Sequence, residues 1–560
     1  MQNEKILLVA LNAKFYHTNL AVRSIKAYCN NDNIEILEMS INDHFEDILE
    51  NIMAFNASLV AFSCYIWNIE LILKLANCIK KINSAIKTML GGSEVTYDCQ
   101  DILEKHNYID IIMYGAGELA FKKLANNLSA LDKVPSIFYR DGNEIISTSP
   151  APFISLNDIP FVYDVKKLPA APYIIYYESS RGCPYSCGFC LSGTDNKVDF
   201  LEESRTIKEL TQMATAGANQ IKLVDRTFNA NVKRAKNIWE ALSNLPENIK
   251  TNFHFEISAQ LIDDESLQIL KKAPVGRFQF EIGIQSTNKQ TLTAITRVDN
   301  FDSITHVVKE IKSFGNIHVH VDLIAGLPFE DMDSFKRSFN EVFALRAHMF
   351  QLGFLKLLKG SALRTQAEEY GIVYNDAPPY RVLKTQWISF DELCKLEKIE
   401  KSIDVFYHSL AAENSIEYIL SLRDNDFQTF SELIEYSQGS CKPQYILQRL
   451  YNYAEDYSIL SSFLAELMQF DWLAKQKRGF LLFNFELTDE QKYKIKSFYK
   501  FNAASVIDIP KDGLQSSWRF CHIHIFQYDI LHYFESKEVI KRENAILFDY
   551  VALSAKNINL

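Results

Sequence analysis

The sequence predicts an α/β protein in three parts: a doubly wound parallel sheet over residues 1–150, a partial (β/α)6 barrel over 173–385, and a mainly helical region with a small β element over 386–560. Three observations carry this. Short apolar runs alternate with helical stretches in the first 150 residues, and the alternation resumes at 25 to 45-residue intervals from Tyr173. Prolines at 150, 152, 160, 169 and 172 separate the two patterns and mark an extended linker at 151–172. From about Ser389 the pattern changes to long helical runs rich in Tyr, Phe and Leu.

In the first region the strands are expected at Ile6–Leu11, Ile34–Met39, Leu59–Ser63, Thr88–Leu90 and Ile111–Tyr114. Turn residues follow them, in Asn12-Ala13, Gly91-Gly92 and Gly115-Ala116-Gly117. Such sheets bind ligands at the carboxyl ends of their strands, and glycine there lets the backbone come close to a cofactor. The barrel strands are expected at Tyr173–Ser179, Gln220–Val224, Asn252–Ile257, Arg277–Ile282, His318–Leu323 and Phe350–Leu355, with helices such as Glu202–Ala216 and Asp331–Leu345 between them. Polar groups stand at or near several strand ends: Asp225, Glu256, Glu281, Gln285 and Asp322. Barrel chemistry sits at that edge.

In the last third, helices are expected over Glu392–Leu410 and Pro443–Gln469, and paired strands over Phe480–Phe485 and Cys521–Gln527. Cys521-His522-Ile523-His524 has metal-compatible side chains, but period-two alternation puts the histidines on the strand face opposite Cys521 and Ile523. Two histidines alone make a weak metal site.

Composition bounds the function. A chain of 560 residues is long enough for three to four domains, and 48% hydrophobic with 23% charged residues is ordinary for globular proteins. A formal net charge of −11 argues against a nucleic-acid substrate held by a broad basic face. The amino terminus lacks a signal-peptide arrangement and no stretch holds 18 consecutive apolar residues, so no membrane association and a cytoplasmic location are expected. The scattered cysteines Cys29, Cys64, Cys78, Cys99, Cys394, Cys441 and Cys521 read as reduced thiols.

The other three cysteines crowd into Arg181-Gly182-Cys183-Pro184-Tyr185-Ser186-Cys187-Gly188-Phe189-Cys190. Cys-x3-Cys-x2-Cys offers three soft ligands from one loop with no fourth nearby, whereas structural zinc needs four and the ferredoxin run uses uniform x2 gaps. Three thiolates on a cubane cluster leave one iron open.

With Phe189 in the aromatic slot, this loop resembles the signature of the radical S-adenosylmethionine (SAM) superfamily. The resemblance implies that Cys183, Cys187 and Cys190 ligate a [4Fe-4S] cluster whose open iron chelates SAM, with Phe189 near the adenine. It further implies SAM contacts at Glu281, Gln285 and the Gly326-Leu327-Pro328 turn, Arg297 on the SAM carboxylate, and Asp225 facing the cavity. Likewise Asn12, Ser63, Gly91, Gly92, Gly115 and Gly117 lie in segments that resemble a Rossmann-like cobalamin-binding domain, and there they would contact the corrinoid. The Asp-x-His-x-x-Gly cobalt-ligating motif is absent, so His17 is not assigned as a ligand. The whole order is similar to a bacterial family with an uncharacterised carboxyl-terminal domain, of the DUF4080 type.

The function this implies is reductive SAM cleavage and methylation of an unactivated carbon of a small molecule or peptide, with a flavodoxin or ferredoxin as reductant. Two other readings stay open: a cyclisation or rearrangement with cobalamin as redox or structural partner, and a non-enzymatic corrinoid or iron–sulfur sensor or electron carrier. Replacing Cys183, Cys187 and Cys190 together by alanine is expected to erase the cluster absorption of anaerobically purified protein while the corrinoid bands stay, as visible spectra would show.

Overall fold

The structure, a computed structural model, describes residues 5–168, 172–192, 197–475, 487–501 and 520–558. The chain forms two compact units, 1–393 and 394–560.

The first unit opens with a seven-stranded sheet in the order β2-β1-β3-β4-β5-β6-β7. Strands β1 (Ile6–Asn12), β2 (Ile34–Ser40), β3 (Leu59–Ser63), β4 (Lys87–Gly91) and β5 (Ile111–Met113) are those the periodicity predicts, and all pair in parallel. Every residue of β1 is buried: Leu7, Val9 and Leu11 join the core on one face, Ile6, Leu8 and Ala10 the core on the other. A strand covered on both sides must be apolar throughout, and so it reads as an unbroken run. Because the chain leaves β1 for β2 on one side and returns to β3 on the other, the strand ends open a cleft between β1 and β3.

Two further strands, β6 (Ile137–Asp141) and β7 (Glu144–Ser147), extend the sheet as an antiparallel hairpin that the periodicity did not predict. Its two-residue Gly142-Asn143 loop, with Gly142 at φ +60°, carried the signal.

The barrel strands follow in sequence order: β8 (Ile174–Tyr177), β11 (Gln220–Leu223), β12 (Asn252–Glu256), β13 (Phe278–Gln285), β14 (Ile317–Ala325) and β15 (Met349–Phe354), every pair parallel. Stepwise order with β8 and β15 at the two edges is the wall of an open barrel, and the outer side of β8 is met by the chain around His17, where the Ile174 amide donates to the Tyr16 carbonyl at 2.8 Å. A ribbon of β9 (Ser180–Gly182) and β10 (Val198–Phe200) flanks the cysteine loop, and β16 (Val373–Tyr374) with β17 (Val382–Lys384) follows the barrel.

Period-two alternation divides the wall's side chains. Phe255 of β12 and Phe280 of β13 pack on Trp239 of helix Val232–Ser243, with ring centroids at 6.3 and 5.5 Å, while His254 and Glu281 meet on the opposite, lumenal face.

In the second unit the predicted Pro443–Gln469 helix is two helices, Pro443–Asp456 and Ser462–Lys475. The backbone turns left-handed at Ser458 (φ +55°), and the amides of Ile459 and Leu460 both close on the Ala454 carbonyl at 2.8 Å, which ends the first helix. The Ser461 hydroxyl then accepts the Leu464 amide and starts the second. The predicted Glu392–Leu410 helix runs as α-helix over Phe390–Ile403, within which the two units divide, and widens to a π turn, with bonds five residues apart, at Asp404–His408.

The small β element is an antiparallel sheet of β18 (Cys521–Phe526), β19 (Asn544–Asp549) and β20 (Ser554–Ile558); the predicted strand Phe480–Phe485 lies outside the described residues. His522 and His524 share one face with ring centroids 6.2 Å apart, and burial pushes their imidazoles down to about 4 and about 3. No helix among the described residues is long and apolar enough to cross a membrane.

Trp239 is fully buried. Replacing it by alanine is expected to cost about 3–5 kcal/mol, read as a lowered thermal midpoint of the first unit.

Candidate functional site

Two cavities meet at the mouth of the barrel. The smaller, about 250 Å³, is lined by Cys183, Cys187 and Cys190 together with Phe189, Glu281, Gln285 and Arg297. The cysteine loop comes directly after β9 and is held by its own backbone, Cys190 N–H donating to the Cys187 carbonyl at 3.0 Å. Cys183 Sγ lies 3.5 Å from Thr227 Oγ1, and the Ser192 amide points at Cys190 Sγ at 3.4 Å. All three thiols are free. They do not all fall within 4.8 Å of one another. Thiolates around one zinc at about 2.3 Å would sit closer than that, so the set suits a larger centre.

Arg297 reaches the loop from the end of helix Lys289–Ala294. Its guanidinium donates to Asp299, to the Gly283 carbonyl and, at 3.7 Å, to Cys187 Sγ. Burial raises the Cys187 thiol, and Arg297 works against that rise. Gln285 holds a left-handed backbone (φ +69°) at an irregularity in β13, and its side chain folds back over Gly283, where a Cβ would lie 2.1 Å from Gln285 Nε2 and push that side chain aside. Glu281 projects from the same strand. Its carboxylate accepts Lys222 Nζ and His254 Nε2, both at 3.0 Å; burial alone would raise it, but these partners hold it down to about 2.

The larger cavity, about 1010 Å³, lies between the carboxyl edge of the first sheet and the barrel mouth. Asn12, His17, Tyr65, Trp67 and Gly117 line it from the first sheet's side, and Tyr176, Arg181, Lys222, Arg226 and Glu256 from the barrel's. Tyr65 and Trp67 stack at 4.4 Å with rings 4° apart, and Trp67 is 46% exposed, a flat apolar surface turned to the opening. Arg226 and Glu256 line both cavities, 3.9 Å apart, and burial pushes the Glu256 carboxyl up to about 7.

Three family models match the chain in order: B12 binding domain over residues 6–125, Radical SAM superfamily over 177–342, and Protein of unknown function (DUF4080) over 368–548. The chain belongs to the B12-binding radical SAM proteins. It is 24% identical over 438 residues to the 2-(S-pantetheinyl)-carbapenam-3-carboxylate methyltransferase of Streptantibioticus cattleyicolor, covering 70% of this chain and 63% of that protein. With the anaerobic magnesium-protoporphyrin IX monomethyl ester cyclase of Synechocystis it shares 31% over 222 residues, 37% of this chain and 43% of that one. The chain thus spans under two thirds of the length of these relatives. The solved structure of the cobalamin-dependent S-adenosylmethionine radical enzyme OxsB, with aqua-cobalamin and S-adenosylmethionine bound, shares its fold, with a TM-score of 0.61 at 16% identity over 92% of this chain and 83% of that one.

The cofactors of this class are a [4Fe-4S] cluster, SAM and cobalamin. The cavities fit them: three thiols on one small cavity with no fourth cysteine among its lining residues, and a wide cavity with a flat aromatic wall beside it.

Several sequence expectations need correction within this frame. Asp225 does not face a cavity: it is fully buried, and its carboxylate accepts the Ser179 amide and the Ser179 and Ser180 hydroxyls at 2.6–2.8 Å, fastening β11 to the chain between β8 and β9. Gly92 is required by its own chain, because at φ +118° a Cβ would stand 2.5 Å from the Cys64 carbonyl. Ser63, Gly91, Gly92 and Gly115 are not among the residues lining either cavity; Asn12 and Gly117 line the larger one. Gly326 is a left-handed turn (φ +90°) packed by Leu355, Val382 and Leu393, outside the cysteine cavity. His17, left unassigned, is on the large cavity's wall with Nδ1 3.3 Å from the Tyr176 hydroxyl.

Sequence reading missed Arg226, Lys222 and Arg181. Arg181 donates to Glu178 at 2.8 Å and to Glu118, of the first sheet's last helix, at 2.7 Å, and the Ser24 hydroxyl also reaches Glu118. Burial would raise Glu118, but Arg181 holds it below the usual carboxylate range. A depressed carboxyl contributes stability above its unfolded pKa that is lost as pH falls. Arg181→Met would leave Glu118 and Glu178 buried without a cation, costing about 3 kcal/mol at pH 8 and less at pH 5, where they take up protons. Thermal midpoints of the variant across that range measure it, and Glu118→Gln in the same chain is expected to restore part of the loss.

Proposed function

We propose that this protein is a cobalamin-dependent radical SAM methyltransferase that methylates an unactivated carbon of a small molecule or peptide, with a flavodoxin or ferredoxin as electron donor. The observation that carries the reading is the meeting of the thiol-lined cavity and the larger one at Arg226 and Glu256. When bound, the cluster and SAM supply a hydrogen-abstracting carbon radical and the corrinoid supplies a methyl group.

The chain's own residues place and shield. Cys183, Cys187 and Cys190 hold the cluster side, and Arg297 fixes the thiol loop against the end of β13. Asn12, Trp67 and Gly117 form the corrinoid side. Arg226 and Glu256 stand where a substrate reaching both must pass, and Arg226, with its side chain 55% exposed and its nearest carboxylate at 3.9 Å, is the cation best free to take a substrate's acidic group. The carbapenam methyltransferase relative supports methyl transfer. A second reading, cyclisation with cobalamin as partner, is favoured by the 31% identity to the cyclase of Synechocystis.

The test is anaerobic incubation of cluster- and cobalamin-loaded protein with SAM labelled in the methyl group, a strong reductant and candidate acidic substrates. Formation of 5′-deoxyadenosine together with label in the product is expected. A confirmed product without label would replace methyl transfer by the cyclisation reading, and no 5′-deoxyadenosine with an intact cluster would remove the enzyme reading.

A further inference from the structure

We propose that Glu281, His320 and Asp322 form a binding site for a first-row divalent cation in the barrel lumen. Ligand atoms of the three residues all lie within 4.8 Å of one another, the one such trio of His, Cys, Asp or Glu among the described residues. The ladder dictates the arrangement. Glu281 of β13 pairs with His320 of β14, and Asp322 follows two positions along β14, so the three side chains share the lumenal face.

A second observation points to an ion. His320 is 8% exposed, and its Nε2 stands 2.8 Å from Asp322 Oδ1. Both atoms are buried, and although they stand close enough to pair as ions, neither makes a hydrogen bond of good geometry. Two ligand atoms at this separation match one edge of a coordination shell: ligands at about 2.0 Å and right angles are about 2.8 Å apart. Glu281 is oriented for the third position, since Lys222 and His254 both bond its Oε2.

The donor set selects the ion. Two carboxylates with one imidazole suit Mn²⁺, Fe²⁺ or Zn²⁺ better than Na⁺, K⁺, Mg²⁺ or Ca²⁺, which prefer oxygen alone. The two carboxylates face one ammonium, Lys222, so a dication would not meet a net positive site. Glu281 and Asp322 also line the cavity that holds the three cysteines, whereas His320 does not. The ion's open positions therefore face that cavity, where a carboxylate or hydroxyl oxygen of a bound molecule could complete the shell. The site stands independently of the methyltransferase reading.

Mn²⁺ is the probe. Full-length, cluster-loaded protein is stripped with a chelator, titrated anaerobically with Mn²⁺, and the free-ion EPR signal followed. One Mn²⁺ per chain is expected, displaced by Zn²⁺, with ¹⁴N modulation from the imidazole in pulsed EPR. His320→Gln and Asp322→Asn are each expected to weaken binding at least tenfold at an unchanged thermal midpoint, while the Cys183, Cys187 and Cys190 triple alanine variant keeps the site. Absence of saturable binding, absence of ¹⁴N modulation in wild-type protein, or loss of binding in the triple variant would each overturn the proposal. The pulsed measurement needs no variant, so a misfolded substitution does not block the test.

Discussion

Arg181 is the contact on which the geometry of the first unit turns. It sits two residues before Cys183, the first cysteine of the thiol loop, and one guanidinium binds a carboxylate of its own strand end, Glu178, and one from the last helix of the domain that forms the other cavity wall, Glu118. The planar fork of arginine suits such a double engagement where a lysine would not. A second tether holds the opposite side: Tyr380 donates to Glu94, and Lys359 pairs with Glu94 and with Asp98 at 3.0 Å. Two separated ionic fastenings prevent rotation about either one. Chemistry shared between two cofactors needs reacting atoms held within about half an ångström, and these bridges hold the two walls at a fixed separation.

The lumen has its own logic. A barrel interior is ordinarily filled with branched apolar side chains. Here the lumenal positions carry Lys222, His254, Glu256, Glu281, His320 and Asp322. Buried charge is costly unless paired, and these groups pair with each other across strands. The apolar complement lies on the helix side, where the rings of Phe228, Trp239, Phe255 and Phe280 pack at tilted to edge-on angles. Stability is thus carried outside the wall, and the inside is left polar enough to receive polar ligands.

What the sequence disclosed, and what it withheld, follows from the range of each interaction. Strand positions were legible because both-face burial makes β1 and β3 continuous apolar runs, and the cysteine loop was legible because its ligands are local. The break at Ser458 was not, because a left-handed residue other than glycine or asparagine leaves little trace in composition. Asp225 was misread because a carboxylate at a strand end looks the same whether it faces a cavity or, as here, accepts hydrogen bonds from Ser179 and Ser180 across 45 or more residues of sequence. Arg226 and Arg181 were missed for the same reason. Their importance lies in which distant surfaces they join.

Gly283 and Gln285 show how local strain and distant contact combine. A left-handed glutamine costs on the order of 1–3 kcal/mol and persists only where its surroundings fix it. Arg297 bonds the Gly283 carbonyl, two residues before Gln285, on one side and Cys187 Sγ on the other. Without a side chain at 283 the Gln285 amide folds back over the strand, into the cavity that the thiols line. Glycine and arginine therefore meet at the end of β13, where one guanidinium ties the strand's Gly283 carbonyl to the thiol loop at Cys187.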